Sequence, residues 1–151
     1  MAIINTFDKC LAGPYLFLDP EAPARVEGLL DQADDLLAAA RDLLGGPKPD
    51  PTDVGTLAYQ AMFAAVRALV YARGYREAGL KCLILACEKL YVRSGLLDGA
   101  QLIAFERVQG FKLTPGDAVA TASSLLGEAR ALLGATTTSS RPGDLDRTAR
   151  L

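Results

Sequence analysis

Six residues in this chain have side chains suited to holding an anion: Arg67, Arg73, Tyr75, Arg76, Arg107 and Lys112. Arginine offers a planar fork of donors that matches phosphate or carboxylate, and beside an aromatic ring it suits phosphate contact and base stacking. Arg73 and Arg76 sit three apart around Tyr75, at the junction of two helical patterns. A capped, solvated helix end would carry the same residues. Arg67 is the single charge within the apolar run 57–72, LAYQAMFAAVRALVYA. A cation in that setting needs an acid partner, expected from the acidic first helix, or an anion bound in an adjoining groove. Arg107 follows Glu106 near the end of a short helical pattern, where a cation also complements the helix dipole.

What is missing limits the chemistry. The chain has no histidine, so a serine or cysteine nucleophile would lack its usual general base. Phosphate-loop and dinucleotide signatures are absent as well. Asp31, Asp34 and Asp35 fall within one turn. A di-metal bundle draws its ligands from several facing helices, so these acids read as solvated surface. The three cysteines, Cys10, Cys82 and Cys87, are an odd set without a dense framework. They predict reduced thiols filling core space in a cytoplasmic protein. Without histidine or a second close pair, zinc is not expected, and no metal or cofactor is predicted.

The elements that must position these residues are helical. Half of the 151 residues are hydrophobic, with Leu and Ala favoured over Val and Ile, a bias toward helix. Apolar positions recurring every three or four residues predict a helix over about 21–45, opened by Asp19–Pro20 and ended by Gly45–Gly46–Pro47. A second helix is expected over about 52–73, capped at Asp50–Pro51 and broken at Gly74. A third is expected over 76–93, stopped at Ser94–Gly95, and a fourth over 98–109. The fifth runs from Thr114–Pro115–Gly116–Asp117 to about Leu133, with Gly134 as terminator. No alternating strand is apparent. The organisation predicted is an N-terminal arm over 1–20, a bundle over 21–134 and a flexible Ser/Thr/Gly/Pro-rich tail over 135–151. The fold class is all-α, an antiparallel bundle of about five helices.

The 57–76 helix is apolar on most sides and belongs at the bundle centre. Arg67 interrupts it, so the longest apolar stretch falls short of a membrane span, and the N-terminus lacks the pattern of a signal peptide. No membrane is expected. The net charge of −2 hides an asymmetry: residues 19–53 carry nine acids against three bases, and residues 65–112 carry eight bases against four acids. Either the two halves pair within one bundle, or the basic middle faces nucleic acid or an acidic partner.

The stretch Ala58–Tyr59–Gln60–Ala61–Met62–Phe63–Ala64–Ala65–Val66–Arg67–Ala68–Leu69 resembles the second core helix of HEPN domains, the helical bundles of prokaryotic toxin–antitoxin and defence systems. Ala72–Arg73–Gly74–Tyr75–Arg76 continues the likeness, as do Tyr91–Val92, Ser94–Gly95–Leu96 and the opening Thr114–Pro115–Gly116–Asp117–Ala118. The resemblance covers about residues 24–133. It implies a HEPN-like bundle, dimerisation, and association with nucleotidyltransferase-like antitoxins.

Many members are metal-independent ribonucleases that use an Arg followed four to six residues later by His. The histidine moves protons while the arginine holds phosphate. Arg107 falls where that arginine is expected, but Val108–Gln109–Gly110–Phe111–Lys112 supplies no histidine. The other histidine positions of the family fall at Ala64 and near Leu80. Lys112 and Tyr75 have reference pKa values of about 10, ill suited to proton transfer at neutral pH. The resemblance therefore implies a degenerate, non-catalytic binding module. It would be a homodimer or bind a protein partner, with Arg67, Arg73, Tyr75, Arg76, Arg107 and Lys112 as candidate contacts to RNA or nucleotide phosphate. The alternatives are a ribonuclease toxin with a non-standard site around Arg107, and a structural subunit of a larger assembly.

Overall fold

The computed structural model describes residues 3–109 and 112–140. Six α-helices appear among the described residues: α1 (Phe7–Ala12), α2 (Val26–Leu44), α3 (Pro51–Ala72), α4 (Leu80–Cys87), α5 (Gly99–Gln109) and α6 (Pro115–Ser140). The chain is mostly all-α, a helical bundle, as its composition and periodicity predict.

Helix α3 is the axis of the molecule and packs against α2, α4, α5 and α6. Its start is defined locally. The Asp50 side chain accepts from the Thr52 and Asp53 amides at 2.8 and 3.4 Å, and Pro51 occupies a first-turn position that needs no amide donor. Ala58, Ala61, Ala64, Ala65 and Ala68 are buried along it, and such small side chains let neighbouring helices approach closely. On length and composition alone α3 could cross a bilayer, contrary to the expectation that Arg67 disqualifies it. Two thirds of that stretch, 67 %, is buried by the rest of this chain, which is the setting of a core helix.

Helix α2 buries Val26, Leu29, Leu30, Ala33, Leu37 and Ala40, the spacing that lines one helical face. Helix α6 runs antiparallel to α2, since Arg41 reaches Ser123 at 2.8 Å while Asp34 pairs with Arg130. The Thr114 hydroxyl accepts from the Asp117 amide at 3.1 Å and caps the start of α6.

Four expectations need correction. The third helix does not begin at 76: residues Tyr75–Glu77 form a strand, β2, antiparallel to β1 (Leu16–Leu18), with Leu16 opposite Glu77 and Leu18 opposite Tyr75. Gly74, at φ +85°, turns the chain out of α3 in a left-handed conformation that glycine adopts at little cost. Helix α4 then ends in a π turn, Glu88–Val92. Second, the first helix begins as a 3₁₀ turn, Ala22–Arg25, before α2 proper. Third, α6 continues past Gly134 to Ser140; the rest of the expected tail, 141–151, lies outside the described residues. Fourth, Cys10 and Cys82 are joined in a disulfide, with Cα atoms 5.8 Å apart, and only Cys87 is a free thiol. The N-terminal arm is therefore fastened twice, by the β1–β2 pairing and by a covalent bridge from α1 to α4.

Candidate binding site

Arg67 is held by an acid and by an aromatic ring. Its Nε donates to Glu77 Oε2 at 2.7 Å, and its guanidinium lies 4.5 Å from the centre of the Phe63 ring. The partner comes from β2, not from the acidic first helix as expected. The Gly74 turn folds β2 back so that Glu77, ten residues on, meets the side of α3. Glu77 is the one buried charged residue among those described, and its other oxygen accepts from the Tyr71 hydroxyl at 3.0 Å. Burial, with Glu77 next in importance, raises the Tyr71 pKa above its ordinary value, and the nearby cations Arg67 and Arg25 offset part of that. The carboxylate thus has two donors, which is what a charge removed from water requires.

Arg67 also lines a cleft of about 420 Å³ between α2 and α3, with Gln32, Tyr59, Gln60 and Phe63 among its walls. The Tyr59 ring stacks on Phe105 at 5.2 Å, and Phe63 meets Phe105 edge-on at 6.2 Å. Burial raises the Tyr59 pKa, with Arg67 opposing.

The other predicted contact residues fall into two groups. Arg73 caps α3 and lies 4.5 Å over the Tyr91 ring. Arg76 pairs with Asp19 at 3.1 Å and lies 5.4 Å over Phe17. Tyr75 meets Phe7 edge-on at 5.4 Å. These residues gather around the C-terminal end of α3 and the β1–β2 ribbon. Arg107 stands elsewhere. Its neighbour Val108 lines a small cavity with Pro51, Thr52 and Gly55 at the start of α3, roughly 30 Å along the helix from Arg73 at about 1.5 Å per residue. Arg107 is exposed and has no side-chain hydrogen bond or ion pair among the described residues. Exposed Lys112 is its neighbour, linked through a backbone bond from the Lys112 amide to the Arg107 carbonyl at 3.0 Å. The expected pairing of an acidic first part with a basic middle reduces to Asp19 with Arg76, because Asp31 and Asp34 pair with Arg130 of α6.

No group of three or more His, Cys, Asp or Glu side chains among the described residues is placed to hold a metal ion. Sequence reasoning passed over Glu77, although an acid at the edge of a basic junction was the available signal. It also passed over the faces of α4 and α5, which enclose a groove of about 540 Å³. Comparison with family models, with curated proteins and with solved structures finds no match for this chain.

Proposed function

We propose that this chain is a non-catalytic, HEPN-like binding module that acts through protein–protein contact, with itself or with a partner such as a nucleotidyltransferase-like protein. One observation carries the reading: the cations suited to gripping a phosphate are occupied internally. Arg67 is held by Glu77, Arg76 by Asp19, and Arg73 by the Tyr91 ring. At Arg67 and Arg76 an anion would have to compete with carboxylates already in place. RNA or nucleotide contact then falls chiefly to Arg107 and Lys112 at the far end of α3, which are exposed and have no acid partner among the described residues. With no histidine in the chain, neither has an imidazole neighbour to shuttle a proton near neutral pH.

Exposed Arg107 favours a second reading, a ribonuclease with a non-standard residue set. Incubation of the purified protein with total RNA separates the two. Intact RNA after exposure to wild type and to Arg107→Ala supports the binding module. Cleavage by wild type that is lost in Arg107→Ala establishes the ribonuclease.

A further inference from the structure

The cleft between α2 and α3 holds hydrogen-bonding groups that the rest of the chain leaves unused. Gln60, Phe63 and Arg67 recur along one face of α3, and Gln32 stands on the opposing wall of α2. The Arg67 guanidinium is fixed before any ligand arrives: Nε donates to Glu77 Oε2 at 2.7 Å, and Phe63 lies against it at 4.5 Å. Its terminal nitrogens carry the remaining N–H donors of the fork and donate to nothing among the described residues. The side-chain amides of Gln32 and Gln60 and the Tyr59 hydroxyl likewise have no hydrogen-bond partner among the described residues. The setting is close to neutral, because Glu77 balances Arg67 and both glutamines are uncharged. Asp35, exposed and three residues from Gln32, has no ion-pair partner among the described residues and adds negative potential on the α2 side.

We propose that this cleft binds a small, neutral, planar cyclic amide, a molecule whose ring edge carries a carbonyl beside an N–H. The terminal nitrogens of Arg67 donate to the carbonyl, and a glutamine carboxamide accepts from the N–H while donating to a second acceptor. A carboxylate or phosphate fits less well, because Glu77 already neutralises the guanidinium and Asp35 repels an incoming anion. A cation fails, because it would meet the N–H donors of Arg67. The rings of Tyr59 and Phe63, set edge to face at 5.8 Å, give a flat ligand its apolar wall. The volume of about 420 Å³ falls within the range of small-molecule sites. Since Glu77 and Phe63 already hold the guanidinium, little side-chain freedom is lost on binding. A pyrimidine base and a cyclic dipeptide both carry the required edge. The inference goes beyond the protein-contact reading by giving the chain a small-molecule ligand.

Titration of the isotope-labelled full chain, followed by NMR, tests it with four probes: uracil, diketopiperazine, ring-N-methylated dimethyluracil and benzoate. Uracil or diketopiperazine is expected to shift the side-chain amide signals of Gln32 and Gln60 and the Nε signal of Arg67, with a Kd of about 1 mM. The tighter of the two names the source of the ligand. Dimethyluracil keeps both carbonyls of uracil and lacks its N–H, so it should bind about tenfold more weakly than uracil. Benzoate, planar but anionic, should bind more weakly than either cyclic amide. Gln60→Leu should weaken the tighter probe about tenfold at unchanged circular dichroism, because the side chain is exposed. Arg67→Lys should do the same, since it keeps a cation for Glu77 and removes the fork. The proposal is overturned if neither cyclic amide moves these signals, if benzoate binds as tightly, or if both variants bind as wild type does. None of these results touches the binding-module reading, which the RNA incubation tests separately.

Discussion

The Arg67 guanidinium and the Glu77 carboxylate, 2.7 Å apart, are buried to very different extents: the Arg67 side chain is 40 % exposed and that of Glu77 only 4 %. The pair is therefore asymmetric in what its loss leaves behind. Arg67→Ala leaves a carboxylate in the interior with the Tyr71 hydroxyl as its one remaining donor. Glu77→Ala leaves a cation that can turn toward water. Breaking a buried pair costs about 3–5 kcal/mol when the surviving charge stays buried, and far less when it is solvated. Urea titration should show Arg67→Ala losing about 3 kcal/mol and Glu77→Ala about 1–2 kcal/mol. Equal losses, or the reverse order, would contradict the asymmetry.

The bridge between Cys10 and Cys82 spans a sequence separation of 72. Closing a loop of that length removes conformational freedom from the unfolded chain worth about 4 kcal/mol on the chain-entropy scale. Helix α1 has six residues, too few to persist alone, so it depends on this bond and on Phe7 against Tyr75. Thiol titration of the denatured, unreduced protein should find one free group, and three after reduction, given the three cysteines of the chain. Reduction, or Cys10→Ser, should lower the unfolding free energy by about 2–4 kcal/mol. It should also open the peptide bond after Lys9 to trypsin. Three titratable thiols in the denatured, unreduced protein would remove the bridge from the account.

The same two residues show where sequence reading stops. Helices α2, α3 and α6 were legible because each carries a long apolar period and, for α3 and α6, an N-terminal cap written into Asp50–Pro51 and Thr114–Pro115. The pairing of Cys10 with Cys82 was not, because spacing along the chain says nothing about which distant thiol lies 5.8 Å away in Cα position. The β2 strand reads as a helix start in the sequence, because three residues are too few to show alternation and Arg76 and Glu77 are compatible with a first helical turn. Gly134 has the look of a stop, yet one glycine costs a helix only about 1 kcal/mol, and α6 runs on to Ser140. Of the candidate site, Arg67 was legible as a cation in need of a partner. Its partner was not, since the Gly74 turn, which no period encodes, decides that Glu77 returns to α3. The groove was hidden by adjacency: Leu102 and Ile103 are neighbours, so only one can face the core, and periodicity alone did not show which.

The Tyr91 hydroxyl donates to the Leu69 carbonyl at 2.6 Å in a buried setting. That carbonyl is available because the Arg73 amide, its expected helical partner, turns instead to the Val70 and Tyr71 carbonyls. The π turn at 88–92 carries Tyr91, which acts as a side-chain cap for the end of α3. Tyr91→Phe keeps the ring beneath Arg73 and removes only the donor. Leaving a buried carbonyl unpaired should cost about 1–2 kcal/mol, measured as a lower urea midpoint at unchanged slope. Undiminished stability would mean that the carbonyl has another donor.

The one free thiol, Cys87, sets a limit at alkaline pH. Burial pushes its pKa up from 9.0 to about 12. Below pH 9 both folded and unfolded chains hold the proton, and the group contributes no pH dependence. Above it the unfolded chain releases the proton while the folded chain keeps it, so stability falls as pH rises, by up to about 1.4 kcal/mol per unit. The fall should level off near the folded value, where both states are ionised. Tyr59, Tyr71 and Tyr91 are shifted in the same direction, chiefly by burial, and add to the loss once unfolded tyrosine ionises near pH 10. Urea titrations between pH 8 and pH 10 should therefore show a decline that Cys87→Ala makes shallower, even though the variant starts lower through its lost core contacts. Native Cys87 should also resist iodoacetamide at pH 8 and react once the chain is unfolded, because the thiolate is the nucleophile. Rapid alkylation of the folded protein, or a pH profile identical in wild type and Cys87→Ala, would show that the thiol is not held as its burial requires.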